Sequence, residues 1–148
     1  MAPNLVTPMR AALEAITGFC EQLRRFTKLT WDEYRQDEDR RLIVERRLEV
    51  ILEAVTDVAR LYLLFAGKSA GLNRAASLRT LRELDVIPPD LAEVLIGFVA
   101  SRNVFAHTYL GIDDRRIYNM LQQSESVFPR FVAAVGLALP EQAPGDEP

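Results

Sequence analysis

Cysteine is almost missing from this sequence: Cys20 is the only one in 148 residues. An intrachain disulfide and a cysteine zinc cluster are therefore both excluded, and a reducing, cytoplasmic setting is the expected one. Long apolar runs are missing as well. The longest, around Leu61 to Ala66 and Phe131 to Leu139, fall far short of the roughly 20 residues that span a bilayer. Met1 to Leu13 lacks the basic start and apolar centre of a secretory signal, so neither a membrane nor an export step is expected. Excess positive charge is absent too. A net charge of -3 and a pI of about 5.3 argue against a general nucleic-acid coat, which depends on many phosphate contacts, so any nucleic-acid contact must be local. There is no internal repeat, no glycine-rich phosphate loop and no sustained two-residue alternation of the kind that marks strands. Histidine occurs once, as His107; without a paired acidic motif it makes a poor zinc or magnesium site, and neither a metal nor another cofactor is expected.

What is present is helical. With 49% hydrophobic and 26% charged residues, the chain can enclose a core without staples, and one all-α domain over residues 1–139 is expected. A first helix reads from Thr7, with Pro8 in its first position, to about Phe26. Thr30-Trp31-Asp32-Glu33 forms a capping box at the start of a short turn. The longest helix runs from about Asp37 to Ala66, with Leu48, Ile51, Val55, Val58, Tyr62 and Phe65 as one buried stripe and Gly67 as its stop. Beside that stripe Glu45, Glu49, Glu53 and Asp57 recur every four residues; solvent exposure is the default reading, although Glu53 or Asp57 equally suits a buried arginine as partner. A shorter helix follows from about Ser77 to Leu84, another from Pro89 to Ala106, and a last one from Asp113 towards Leu137 with a bend at Pro129. Residues 140–148 hold too little apolar content to pack and read as a disordered tail. About five helices joined by short loops predict an up-and-down bundle.

Positive charge is concentrated locally. Lys68, Arg74, Arg79 and Arg82 share an acid-free segment, and Arg115 and Arg116 open the last helix. A solvated face is the plain explanation; Arg74, Arg79, Arg115 and Arg116 are the candidates for RNA contact.

The Pro89 helix places Leu91, Leu95, Phe98, Arg102, Phe105 and Tyr109 on a single stripe, so an arginine stands in an apolar line. Burying an unpaired guanidinium is costly, and Arg102 must meet a carboxylate, a wet subunit boundary or an anion such as phosphate, which its planar fork fits in bidentate fashion. Asn103 and His107 are neighbours four residues apart, about 100 to 140° around the helix from Arg102. His107 carries the side chain best suited to proton exchange near neutral pH. Convergence of Arg102 and His107 needs the arginine to swing, the helix end to distort, or a second subunit to complete the site. On the residues alone, a lone histidine near a helix end is more often a cap or a packing residue than a catalyst, Arg102 more often an internal ion pair, and Tyr109 more often a boundary aromatic with a wet hydroxyl.

The run from Arg102 through four intervening residues to His107, one more and Tyr109, with the polar Asn103 after the arginine, resembles the RX4HXY motif of HEPN toxins of the HepT branch. The similarity extends over Ile43-Val44-Glu45-Arg46-Arg47-Leu48, the Leu81 to Pro89 approach and the Tyr109 to Asp113 exit, about Asp37 to Phe131 in all. This resemblance implies an all-α homodimer with two motifs facing across the subunit boundary, acting as the toxin of a type VII HEPN/MNT toxin–antitoxin system. The implied activity is metal-independent cleavage of tRNA or mRNA: His107 moves the proton, Arg102 stabilises phosphorane charge, Asn103 supports them and Tyr109 lines the site. It also implies a MntA-like nucleotidyltransferase antitoxin that transfers AMP from ATP to Tyr109, with Tyr118 a weaker acceptor outside the motif. A noncatalytic HEPN module that binds a nucleotide or docks a nucleotidyltransferase, and a purely structural dimer in which Arg102 pairs with Glu53 or Asp57, are the competing readings.

Overall fold

The computed structural model describes residues 4–69, 73–100 and 113–141, and these form six helices and no strand. The all-α expectation is met, with the short capped turn as a helix in its own right.

Helix α1 (Val6–Thr27) starts one residue earlier than expected, because Asn4 caps it: the Asn4 Oδ1 accepts from the backbone N–H of Val6 and Thr7 at 3.1 and 3.3 Å. Pro8 is thus the third helical residue rather than the first, still inside the turn whose donors lack helical partners. Helix α2 (Trp31–Gln36) opens on the predicted capping box, in which the Glu33 N–H donates to Thr30 Oγ1 at 3.2 Å and the Thr30 N–H donates to Glu33 Oε1 at 2.9 Å. Helix α3 (Glu38–Phe65) is capped by Asp37 and stops where Gly67 takes φ +73°, a left-handed turn that a side chain would oppose. There the Lys68 and Gly67 N–H groups donate to the carbonyls of Leu63 and Leu64 at 2.8 and 3.1 Å, closing a Schellman motif.

Helix α4 (Arg74–Glu83) begins three residues before the expected Ser77, since Asn73 accepts from the Ala76 N–H at 2.8 Å. The exit repeats the Schellman pattern with Asp85 at φ +59°, a conformation its short polar side chain tolerates. Helix α5 (Pro89–Ala100) has Pro89 in its first position, as the sequence requires. Its expected continuation to Ala106 lies outside the described residues. Helix α6 (Asp114–Ala138) is capped by Asp113, whose side chain accepts from the Arg116 N–H at 3.3 Å, and it continues through Pro129. Of the expected tail, Pro140 is held through its carbonyl by Arg10 at 2.7 Å, and residues 142–148 lie outside the described set.

The core is one cluster. Helix α1 packs along α3 and α6, α4 bridges α3 and α5, and α5 packs on α6, while α2 is wedged between α3 and α6. Leu48, Ile51, Val55 and Val58 are fully buried as expected, but the stripe opens at its end: Tyr62 is half-buried and Phe65 is exposed. At 28 residues α3 outlasts the 22 of α1 packed along it. Its exposed apolar residues lie in two places, Leu42 and Ile43 near the start and Leu64 and Phe65 at the end. No helix of the described residues is long and apolar enough to cross a membrane.

Candidate functional site

The residues to which the sequence assigns the chemistry, Arg102, Asn103, His107 and Tyr109, lie outside the described residues. What the structure does describe is the frame from which they hang, the end of α5 at Ala100 and the start of α6 at Asp113 and Asp114. That frame is firmly held. Leu91, Leu95 and Phe98, the first half of the predicted stripe, are buried, and Phe98 meets Phe128 of α6 with ring centroids 5.9 Å apart. At the other end of α5, Arg130 donates to Asp90 at 2.9 Å, and that hydrogen bond, more than the accompanying charge, lowers the Asp90 pKa.

Beside the start of α6 sits a polar cluster drawn from three helices. Arg41 of α3 pairs with Asp114 of α6 at 3.7 Å and also donates to the Arg35 carbonyl. Glu45, one turn along α3, is only 7% exposed, and Tyr34 of α2 is fully buried. The Tyr34 hydroxyl has no hydrogen-bond partner among the described residues. Burial chiefly, with the neighbouring Asp114 carboxylate adding, pushes the Glu45 carboxyl up to about 7, against a smaller opposing pull from Arg41. Burial also lifts the Tyr34 phenol well above its ordinary value, helped by Glu45 and Asp114.

Glu45 corrects the expectation of a solvated acidic line. Residues four apart on a helix advance about 40° per step, so the line rotates about 120° between Glu45 and Asp57. Its first member therefore turns inward, while Glu49 and Glu53 are half-buried and Asp57 is exposed. The pairing of Glu53 or Asp57 with Arg102 falls outside the described residues.

A titration test follows. In the unfolded chain Glu45 reverts to its ordinary value near 4.5, whereas in the fold it stays protonated up to about 7. Below 4.5 both states hold the proton, between the two values only the folded state does, and above 7 the fold must carry a buried carboxylate. The stability supplied by this group is thus complete on the acid side and is lost as pH rises through neutrality, by up to about 3 kcal/mol. Glu45→Gln is expected to raise Tm over the natural chain at pH 8 and to leave it nearly unchanged at pH 5; parallel curves for the two proteins in thermal unfolding would refute the assignment.

On the other side of Tyr34 the aromatic rings continue. Trp31 lies 6.2 Å from Tyr34 and 5.6 Å from Tyr118, and the Tyr34 and Tyr118 centroids are 5.3 Å apart. The Tyr118 hydroxyl donates to the Leu29 carbonyl at 2.6 Å, so this tyrosine has a structural task tying α6 to the α1–α2 connection. The Arg115 guanidinium lies over the Trp31 ring at 4.8 Å and the Tyr118 ring at 5.8 Å. Trp31 and Tyr34 are functional candidates that the sequence reading passed over; the capping box drew attention to its backbone role and not to the rings it carries.

The four arginines considered for RNA contact fall into two groups. Arg74, half-buried, and Arg79, exposed, belong to α4, whereas Arg115 and Arg116, both exposed, open α6. Arg116 is 3.9 Å from Asp113 and is partly committed to that carboxylate. Cys20 is half-buried, and burial first, then Glu21, raises its thiol to about 11, which leaves it unreactive near neutrality. Among the described residues no group of three or more His, Cys, Asp or Glu side chains is placed to hold a metal.

The fold and sequence have known counterparts. A solved structure of YutE from Bacillus subtilis, described as a cytosolic protein of unknown function, superposes with a TM-score of 0.71 at 17% identity, covering 87% of this chain and 89% of that one. That likeness concerns the fold. A relative named tRNA nuclease HepT, from Aphanizomenon flos-aquae (strain 2012/KM1/D3), is 26% identical over 125 residues, or 83% of this chain and 84% of the relative. The family model described as ribonuclease HepT-like matches residues 16–135, which spans α1 to α6 and includes the stretch from Arg102 to Tyr109. The chain belongs to the HepT-like family.

Proposed function

We propose that this chain is a ribonuclease toxin that cleaves RNA, with tRNA as the first substrate to test, and that a MntA-like nucleotidyltransferase silences it by AMP transfer to Tyr109. The family match over residues 16–135 carries the reading, because Arg102, His107 and Tyr109 stand inside it at the spacing of the HepT motif. The relative named tRNA nuclease supports the choice of substrate. In the proposed reaction a ribose 2'-hydroxyl attacks the adjacent phosphorus and gives its proton to His107. The bond from phosphorus to the 5'-oxygen breaks, the leaving oxygen takes up a proton, and a 2',3'-cyclic phosphate remains. Arg102 offsets the charge that builds on the phosphorane, and Asn103 orients the imidazole or a phosphate oxygen. Because residues spaced as Arg102 and His107 are would fall on different faces of a regular helix, a homodimer that pairs two motifs is the arrangement proposed to bring them together. The reaction needs no divalent ion, and it is placed in the cytoplasm, where tRNA is found.

Purified protein incubated with tRNA in EDTA is expected to cut it; an intact substrate, with mRNA equally untouched, would sink the ribonuclease reading. After coexpression with a neighbouring nucleotidyltransferase, mass spectrometry is expected to find AMP on the Tyr109 peptide, and a mass gain elsewhere would overturn that assignment. The net charge of -3 favours one competitor, a noncatalytic module that holds a nucleotide or a partner nucleotidyltransferase. It predicts tight partner binding with no RNA turnover.

A further inference from the structure

We propose that Arg115, seated on Trp31 and Tyr118, forms an RNA subsite in which the guanidinium stacks against a nucleobase of single-stranded RNA and donates to a neighbouring phosphate. The proposal rests on the ribonuclease reading and adds to it the place where the strand is held next to the cut.

Charge pairing around α2 and the start of α6 singles Arg115 out. Asp32 is paired with Arg35 at 2.9 Å, Glu33 accepts from the Thr30 N–H, Asp113 is 3.9 Å from Arg116, and Asp114 is 3.7 Å from Arg41. Each nearby carboxylate thus has its own cation or backbone donor. Arg115 is exposed, and among the described residues its guanidinium meets two aromatic rings and no carboxylate. A guanidinium over a ring and unclaimed by a carboxylate has donors to offer a phosphate and a planar face to offer a base, the two contacts that single-stranded RNA presents. The rings beneath it are themselves fixed. Trp31 is half-buried against Tyr34, and Tyr118 is anchored by its hydroxyl to the Leu29 carbonyl. The platform is therefore built before a ligand arrives, so little ordering remains to oppose binding.

Its position suits the proposed chemistry. Arg115 follows Tyr109 by six residues, so the two Cα atoms lie within about 20 Å of each other however the connecting chain runs. An acidic protein that must hold RNA locally gains most from one exposed cation whose charge is not already offset, and base stacking on it tolerates many sequences.

Trp31 is the only tryptophan in the chain, so its fluorescence reports on this platform directly. The probe is a 2'-O-methyl oligonucleotide, which lacks the attacking hydroxyl and stays intact during titration. The full chain is expected to show saturable quenching. Arg115→Ala is expected to weaken binding roughly ten-fold and to lower the salt dependence by about one phosphate contact. Arg115→Lys, which keeps the charge and loses the plane, is expected to fall between the two. Unchanged affinity in Arg115→Ala, or Trp31 emission indifferent to the oligonucleotide, overturns the subsite. A parallel tRNA cleavage assay separates the two readings: cutting by the natural chain together with an indifferent Arg115→Ala removes the subsite and leaves the nuclease standing, whereas an uncut tRNA removes the nuclease reading itself.

Discussion

Replacing His107 by alanine is expected to lower the rate of tRNA cleavage by about 10²- to 10⁴-fold, the usual worth of a positioned general acid or base. The expectation has an unusually clean form here because the chain has no second histidine to take over the proton. Lysine and carboxylate substitutes titrate far from neutrality unless strongly perturbed. The carboxyl that is raised towards neutrality among the described residues, Glu45, is buried beside Asp114. The loss is expected to fall on cleavage, with the Tm of His107→Ala within a few degrees of the parent. Arg102→Ala provides the complementary test. A guanidinium that grips phosphate costs activity when removed and little stability, whereas one that neutralises a buried carboxylate costs stability first. Equal cutting by His107→Ala and the natural chain would end the assigned role, whatever the melting curves show.

Much of the fold was legible because its signals are local. The capping box at Thr30 and Glu33 and the cap at Asp113 declare helix starts through side-chain hydrogen bonds three residues apart, Gly67 declares a stop through its left-handed φ, and Pro89 marks a first turn where its missing donor costs nothing. The misplaced starts have the same origin. Asn4 and Asn73 are good caps in plain view, passed over in favour of Pro8 and Ser77. What the sequence hid was tertiary. Periodicity brings Glu45 nearer the apolar stripe than Glu49 or Glu53, but whether that position is covered depends on where α2 and α6 pack against α3. In the same way nothing in Trp31-Asp32-Glu33-Tyr34 announces that its two rings will meet Tyr118 and Arg115 from the far end of the chain. The motif itself, Arg102 to Tyr109, was legible by resemblance and not by geometry. Its spacing carries a chemical meaning only once a fold is attached to it.

The second large effect expected is on stability. Phe128 is fully buried in α6 and meets Phe98 near the end of α5, the last described turn before the motif segment. Truncating it to alanine removes a ring from the point where two helices cross and leaves a void that packed neighbours cannot wholly close, a cost of about 3–5 kcal/mol. For a domain of this size that corresponds to a Tm lowered by roughly 10 °C. Phe128→Leu, which keeps most of the volume, should lose less than half as much. The pair can be tested as a pair: Phe98→Ala and Phe128→Ala together should cost less than the sum of the two, with a coupling of about 0.5–1.5 kcal/mol from the tilted ring contact. Strict additivity would mean that the rings merely occupy the same core without depending on one another, and the Asp90–Arg130 bond at the other end of α5 would then carry more of its hold on α6. Coupling instead would make the α5–α6 crossing the rigid support from which the Arg102–Tyr109 segment is hung. Substitutions there should then reach RNA cleavage through the geometry of the frame, while those at His107 reach it directly.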